Sequence, residues 1–303
     1  MIKWPLTYIA LQWHSPPVSN NYYKCNAVYH SYVLFVRGMS ASGLVILVVD
    51  GVSPTGQSVV TKLIAAGHTV FSGHDGQPQR CRNSQAVDIP IALDVCCNNS
   101  VAAAITHITK SKQRIDVIVN NHRDPLFGAV EAVHIGDAEE YINKMLVGTM
   151  RLQKAVLPIM RAQGCGRIVN FNTQCDDIGA VFTGWHAAIV AALKKLTDAV
   201  NEELTGSGVT VVNVSRCLFN TQSARRYLSE KNHQIAMVDG AGVVAFNRHI
   251  QVAMKSAPSF AEDVDAIVSC VVDGNAGVKK ASQDRKKTTP LVPIWHALGG
   301  TFL

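Results

Sequence analysis

The stretch GRIVNFNTQCDDIGAVFTGWHAAIVAALKKLTDAVNEEL, Gly166 to Leu204, decides how the rest of the chain is read. Its opening, RIVNFN (Arg167 to Asn172), is a short apolar run of strand type. A turn segment comes next, then a long apolar-rich helix from about Thr183 to Leu204. The same alternation recurs on both sides. VILVVD, after Leu44, reads as a buried parallel strand, and SVVTKLIAAG as the helix behind it, ended by Gly67. TVFSG is a second strand. Pro90 with IALDV is a third, trailed by a helix from Ser100 to about Thr109. IDVIVNN is a fourth strand and VTVVNV a sixth. Asp137 to Met160 reads as one long helix with Asp137 as its N-cap. Strands this apolar, separated by helices, predict a parallel sheet covered on both faces. The order predicts an α/β fold: one doubly wound parallel sheet of Rossmann type in a single domain. Thr221 to Pro258 is irregular and predicts helices over the cleft.

At 303 residues, 48% hydrophobic and 17% charged, the chain suits one large domain. The net charge of +6 is modest, and the dense basic cluster KKASQDRKK (Lys279 to Lys287) has no aromatic residues interleaved. It reads as a solvated tail, and no nucleic-acid partner is expected. No stretch reaches the ~18 apolar residues of a membrane helix, so no membrane partner is expected either. The eight cysteines show no CxxC spacing, and Cys96 and Cys97 are adjacent, which suits neither a disulfide nor a zinc site. No metal is expected, and a reducing, cytoplasmic compartment fits this usage.

Met1 to Ser42 differs in composition from the rest of the chain: it holds five of the seven tyrosines and no acidic residue. It has the features of neither a signal nor a transit peptide. It is either an extension that packs on the body or on a partner, or a tail upstream of a domain that opens at Met39. The expected division is an N-terminal extension over 1–42, a Rossmann-type domain over 43–275 and a C-terminal tail over 276–303.

From about Leu44 to Gly274 the chain resembles the short-chain dehydrogenase/reductase family, most closely in Gly166–Leu204 and in INKMLVGTMRLQKAVLPIMRAQG. The resemblance implies NAD(P)-dependent hydride transfer with an Asn-Ser-Tyr-Lys tetrad. Here the Ser position falls on Thr173, the Tyr on His186, the Lys on Val190 and the Asn on Met145. The family's Tyr gives a proton to the carbonyl oxygen, and its Lys, one helical turn on, lowers the Tyr pKa and holds the ribose. Thr173 keeps a hydroxyl, and His186 titrates near neutral pH. Val190 can do none of the Lys's work. A helix histidine without a role is the other reading of His186.

The cofactor motifs are altered in the same way. The turn DGVSPTGQS (Asp50 to Ser58) keeps Gly51 and Gly56 but is one residue short. Asp50 replaces a Thr, and Pro54 removes an N–H donor. Asp75 falls where a ribose is read, Asp94 where the family holds adenine, and Asn120 at the end of the fourth strand. The family's next Ala-Gly reads His122-Arg123, and a later Pro-Gly reads Arg216-Cys217. Thr221 stands where a Thr contacts the carboxamide. The expected cofactor is none, or weakly bound NAD(P).

Three functions stay open. The first is a non-redox acid/base enzyme, of isomerase, dehydratase or cyclase type, on a small organic molecule. It would use His186 and Thr173, with Cys175, Asp176, Asp177, His122 and Arg216 around the same cleft. The second is a non-catalytic dimerisation or regulatory subunit. The third is an NAD(P)-dependent oxidoreductase with a remodelled site. In each case the resemblance implies a homodimer or homotetramer through the two long helices.

Overall fold

In the computed structural model six parallel strands among the described residues form one sheet, ordered β3-β2-β1-β4-β5-β6. The structure describes residues 43–76, 88–121, 125–174, 182–217 and 260–272; for 172–174, 215–217 and 260 it describes the backbone alone. The strands are β1 (Val45–Val48), β2 (Thr69–His74), β3 (Asp88–Ala92), β4 (Val117–Asn121), β5 (Gly166–Gln174) and β6 (Val209–Cys217). The helices are α1 (Pro54–Ala65), α2 (Asn98–Lys112), α3 (Ile135–Ile142), α4 (Gly148–Gln163), α5 (Gly184–Glu203) and α6 (Phe260–Val272). The reversal of direction on either side of β1 is the doubly wound Rossmann arrangement.

The inner strands β1, β2 and β4 bury both faces, which is why they read as continuous apolar runs. Leu47, Phe71, Ile118 and Ile168 pack against α2 and α4 on one side. Ile46, Val48, Val70, Val119 and Val169 pack against α1 and α6 on the other. Pro90 fits because β3 is the edge of the described sheet, where a missing N–H costs no ladder bond. Among the described residues no helix is long and apolar enough to cross a membrane.

Three details depart from the sequence expectation. The long helix is not continuous: a π-turn, Asn143–Val147, separates α3 from α4, with Gly148 N–H donating to Asn143 C=O. Its N-cap is His134, whose Nδ1 accepts from Gly136 N–H at 3.1 Å, not Asp137. His134 holds the extended backbone a cap requires, while Asp137 sits inside the first turn, where its charge suits the helix dipole. The sequence pattern also does not single out α6, whose apolar positions complete the second core layer. The segments 1–42, 276–303 and 221–258 lie outside the described residues.

One polar row crosses the sheet. Asn120, Asn170 and Asn213 stand in register on β4, β5 and β6. Asn120 Nδ2 donates to Asn170 Oδ1 (2.8 Å), and Asn170 Nδ2 donates to Asn213 Oδ1 (3.1 Å) and to Thr197 Oγ1 of α5 (3.3 Å). Thr197 Oγ1 closes the row by donating to Asn213 Oδ1 at 3.2 Å. In the sheet interior each of these bonds is costly to leave unmade.

This packing sets two expectations for stability. Asn170→Ala leaves the buried Asn120 amide without its partner and the half-buried Asn213 amide with Thr197 alone. It should destabilise the fold by about 2–4 kcal/mol, a fall in Tm of roughly 5–15 °C, read by thermal unfolding. The second concerns His68, whose Nδ1 accepts the Leu44 N–H at 3.2 Å and must be unprotonated to do so. Burial holds this imidazole below its ordinary value, with Asp116 pulling weakly the other way. The unfolded chain therefore binds the His68 proton more readily. The stability His68 gives is full above pH ~6.5, its unfolded value, and is lost as pH falls from there through its lower folded value. Urea midpoints at neutral and mildly acidic pH should show a smaller acid-side loss in His68→Gln than in wild type.

Candidate active site

Open parallel sheets bind ligands at the carboxyl ends of their strands, where the winding reverses. Here that point lies between β1 and β4, and the candidate residues are built around it.

The turn after β1 is tightly self-bonded. Asp50 adopts a φ of 52°, a left-handed conformation that Asp tolerates better than most residues. Ser53 caps α1: its Oγ accepts from Gly56 N–H at 3.0 Å and donates to Asp50 C=O at 2.8 Å. Gly51 N–H donates to Gly73 C=O, Ser53 N–H to Asp50 C=O, and Gln57 N–H to Ser53 C=O. Gly56 must be glycine, because a Cβ there would lie 2.2 Å from Asp50 O and 2.7 Å from Gly51 Cα. The two glycines serve a tight turn, as the spacing implied. The backbone donors that a helix N-terminus offers to an anion are largely committed within it.

The neighbouring strand ends offer more. Asp75 is exposed just past β2, beside the buried His74, whose Nε2 has no partner. Asp94, after β3, is half-buried and accepts Cys96 N–H with Oδ1 at 2.7 Å. Cys96 itself is no poised nucleophile: burial, and then the Asp94 carboxylate, push its thiol up. Asn121, at the end of β4, donates through Nδ2 to Ser53 Oγ (3.0 Å) and Asp50 C=O (3.3 Å), and its buried Oδ1 has no partner. Asn120, read as a cofactor contact, instead points into the sheet, where its amide joins the asparagine row; strand alternation gives the cofactor side to Asn121.

Tested against a dinucleotide, this donor set fits one held at its adenosine end and loosely at its pyrophosphate. His74, Asp75, Asp94 and Asn121 would supply the holding groups, two of them with buried polar atoms lacking partners. The α1 turn would supply few phosphate donors.

The chemical end of the site centres on α5. Its buried stripe is His186, Ile189, Leu193 and Thr197. Val190, at the Lys position, is only partly buried and contributes no polar group. His186 is 0% exposed, and its Nδ1 lies 2.5 Å from the Tyr141 hydroxyl of α3. Sequence reasoning missed Tyr141, since no Lys stands at the expected spacing after it. The available signal was helical: Tyr141 precedes Met145, the Asn position, by one turn. Met145 is buried in the π-turn, and its carbonyl accepts the Thr149 hydroxyl at 2.8 Å.

The start of α5 is collared by the segment after β4. Gly128 N–H donates to Phe182 C=O at 2.9 Å, and Trp185 Nε1 donates to Val130 C=O at 3.2 Å. Thr173 and Arg216 are direct Cα partners at the ends of β5 and β6, so these two candidates do converge along the backbone. His122, Arg123, Cys175, Asp176, Asp177 and Thr221 lie outside the described residues. Among the described residues no three His, Cys, Asp or Glu side chains gather as a metal site would require.

Comparison with known proteins agrees with this architecture. The family model of the short chain dehydrogenases matches residues 44–232, more than half of the chain. The chain is 29% identical over 145 residues to the ketoacyl reductase HetN of Nostoc, covering 47% of this chain and 50% of that one. It is 28% identical over 177 residues to the 3-ketodihydrosphingosine reductase of Bacteroides thetaiotaomicron, covering 58% and 64%. In both cases the match spans less than two thirds of the relative's length. The fold is also similar to that of the actinorhodin polyketide ketoreductase crystallised with NADPH. That likeness has a TM-score of 0.66 at 22% identity and covers 78% of this chain and 92% of the other. With its strand order, glycine turn and family match in agreement, the chain belongs to the short-chain dehydrogenase/reductase family.

Proposed function

We propose that this protein is an oxidoreductase with a remodelled site, acting on a carbonyl or the corresponding hydroxyl of a small organic molecule. Its His186 manages the proton, and NAD(P) is bound weakly. The observation that carries the reading is the Tyr141–His186 hydrogen bond, an acid/base pair at the helix position where the family keeps its proton donor. The relatives named above act on keto groups, by their names, and this supports a carbonyl substrate. A bound nicotinamide would supply the hydride. The chain's own residues do the rest: Asp75 and Asp94 orient the adenosine end, the α5 collar limits water, and the pair holds a proton near the strand ends.

The full burial of His186 favours one other reading, a non-catalytic dimerisation or regulatory subunit in which the pair only ties α3 to α5. If dinucleotide binding proves absent while the pair remains active, proton transfer alone remains, as in isomerisation, dehydration or cyclisation.

Calorimetric titration with NADH and NADPH should give dissociation constants weaker than micromolar, because few phosphate donors are left in the α1 turn. A panel of ketones with either cofactor should reveal turnover. His186→Phe should lower it by about 100-fold or more, and His186→Gln should not restore it, since an amide does not titrate. Tight cofactor binding would overturn the weak-binding reading; full turnover in His186→Phe would remove the histidine from the chemistry.

The assembly we propose is a homodimer or homotetramer, paired through α3–α4 and α5. Val147 is 39% exposed on the first, and the outer face of α5 carries the exposed small residues Ala188 and Ala191, which permit close helix approach. Light scattering at micromolar concentration should report at least a dimer, and a monomer would exclude this assembly.

A further inference from the structure

We infer that Tyr141, not His186, is the residue that meets the substrate oxygen, and that His186 stands behind it as a proton relay. The inference rests on the acid/base role just proposed for this site.

Accessibility makes the assignment. A general acid must come within about 3 Å of the reacting atom, directly or through one water. His186 is completely buried, so no ligand atom reaches its ring from solvent. Tyr141 is only partly buried, and its hydroxyl lies 2.5 Å from His186 Nδ1. The two ring centroids are 6.0 Å apart and the planes tilted by 42°, so the rings meet by their polar edges and are not stacked. Of the two side chains, only Tyr141 keeps surface open to solvent.

Backbone geometry shows how a tyrosine comes to that place. In a regular helix Tyr141, Met145 and Thr149 would lie on one stripe. The π-turn at Asn143–Val147 inserts one extra residue between α3 and α4. One residue is about 100° of helical rotation, so α3 is turned relative to α4 while α4 keeps its own packing. The π-turn packs against α5, and its Met145 side chain is apolar and buried. The side-chain proton donor that α3 brings to α5 is therefore the Tyr141 phenol. π-turns of this kind are frequent at functional sites.

The proton balance closes within the pair, while the hydride that charges the substrate oxygen would come from a bound nicotinamide. For donation the pair has first taken up one proton, as phenol and imidazolium, with Nδ1–H donating to the phenol oxygen. As negative charge develops on the substrate oxygen, the Tyr141 O–H bond breaks and a substrate O–H bond forms. The Nδ1 proton then passes to the phenolate, leaving a phenol and a neutral imidazole. One proton has moved from His186 to the substrate by way of Tyr141. The reverse sequence removes a proton from a hydroxyl. In both directions His186 touches Tyr141 and never the substrate.

Fluorine NMR of the full chain labelled with fluorotyrosine tests this directly. The resonance that vanishes in Tyr141→Phe belongs to residue 141. It should move saturably when cyclohexanone or acetoacetyl-coenzyme A is added to wild type. It should sit elsewhere in His186→Phe, where the phenol loses its partner. In the ketone panel Tyr141→Phe should retain the fold by circular dichroism and lose about 100-fold or more in turnover, a loss that a merely structural contact would not produce in a folded protein. A residue 141 resonance that stays fixed across both titrations overturns the inference, as does a Tyr141→Phe variant that turns over at the wild-type rate. If wild type reduces no carbonyl at all, the oxidoreductase reading fails separately, and the titration of residue 141 still decides whether this phenol meets the ligand.

Discussion

Asn170 is the point through which fold and site are mechanically joined. A parallel sheet already satisfies its backbone groups by strand pairing, and apolar residues cover both faces. A polar side chain in that interior costs less the more of its atoms find partners. Asn170 finds them on β4, on β6 and on Thr197 of α5 at once. The bond to Thr197 fixes the height and rotation of α5 on the sheet. Thr197 lies on the same buried stripe as His186, so the rotation that satisfies the asparagine row also turns His186 inward. A helix docked by apolar contacts alone could slide or roll at little cost. A helix docked through a hydroxyl shared between two amides cannot.

The two ends of the cleft differ in how they handle polarity. At the phosphate turn the chain satisfies itself: Ser53 caps Gly56, Asn121 bonds Ser53 and Asp50, and the backbone N–H groups close the turn. A ligand there competes with bonds already made, so its net gain is small. At the α3–α5 junction, a phenol and an imidazole face each other at 2.5 Å in a partly desolvated setting. The proposed weak cofactor affinity and the proposed proton chemistry are therefore compatible in one chain, because different bonds would govern them.

The strand and helix order, the double-sided burial and the parallel sheet were legible in the residues. Each is a property of local periodicity and of short connections, as RIVNF and the helix after it illustrate. His186 was singled out by counting along the family resemblance, a count that gives neither its full burial nor its bond to Tyr141. Asp137 as a cap was not, because several residues near a helix start satisfy the sequence pattern, and only backbone conformation selects His134. Asn120 was legible as important, but its direction was not. Whether an asparagine at a strand end faces cofactor or neighbouring strand depends on which face of the pleat it occupies.

What the sequence by itself determined is the Rossmann architecture, because strand and helix periodicity is visible without coordinates. What only the tertiary structure decided is the pairing of Tyr141 with His186. Tyr141 and His186 are 45 residues apart and belong to helices separated by the π-turn, α4 and β5. Their meeting depends on the phase shift of the π-turn and on the rotation imposed by Thr197, neither of which leaves a periodic mark in the chain. A side chain's chemistry is carried by its own residue, whereas its partner is set by the packing of elements that the chain connects only at a distance.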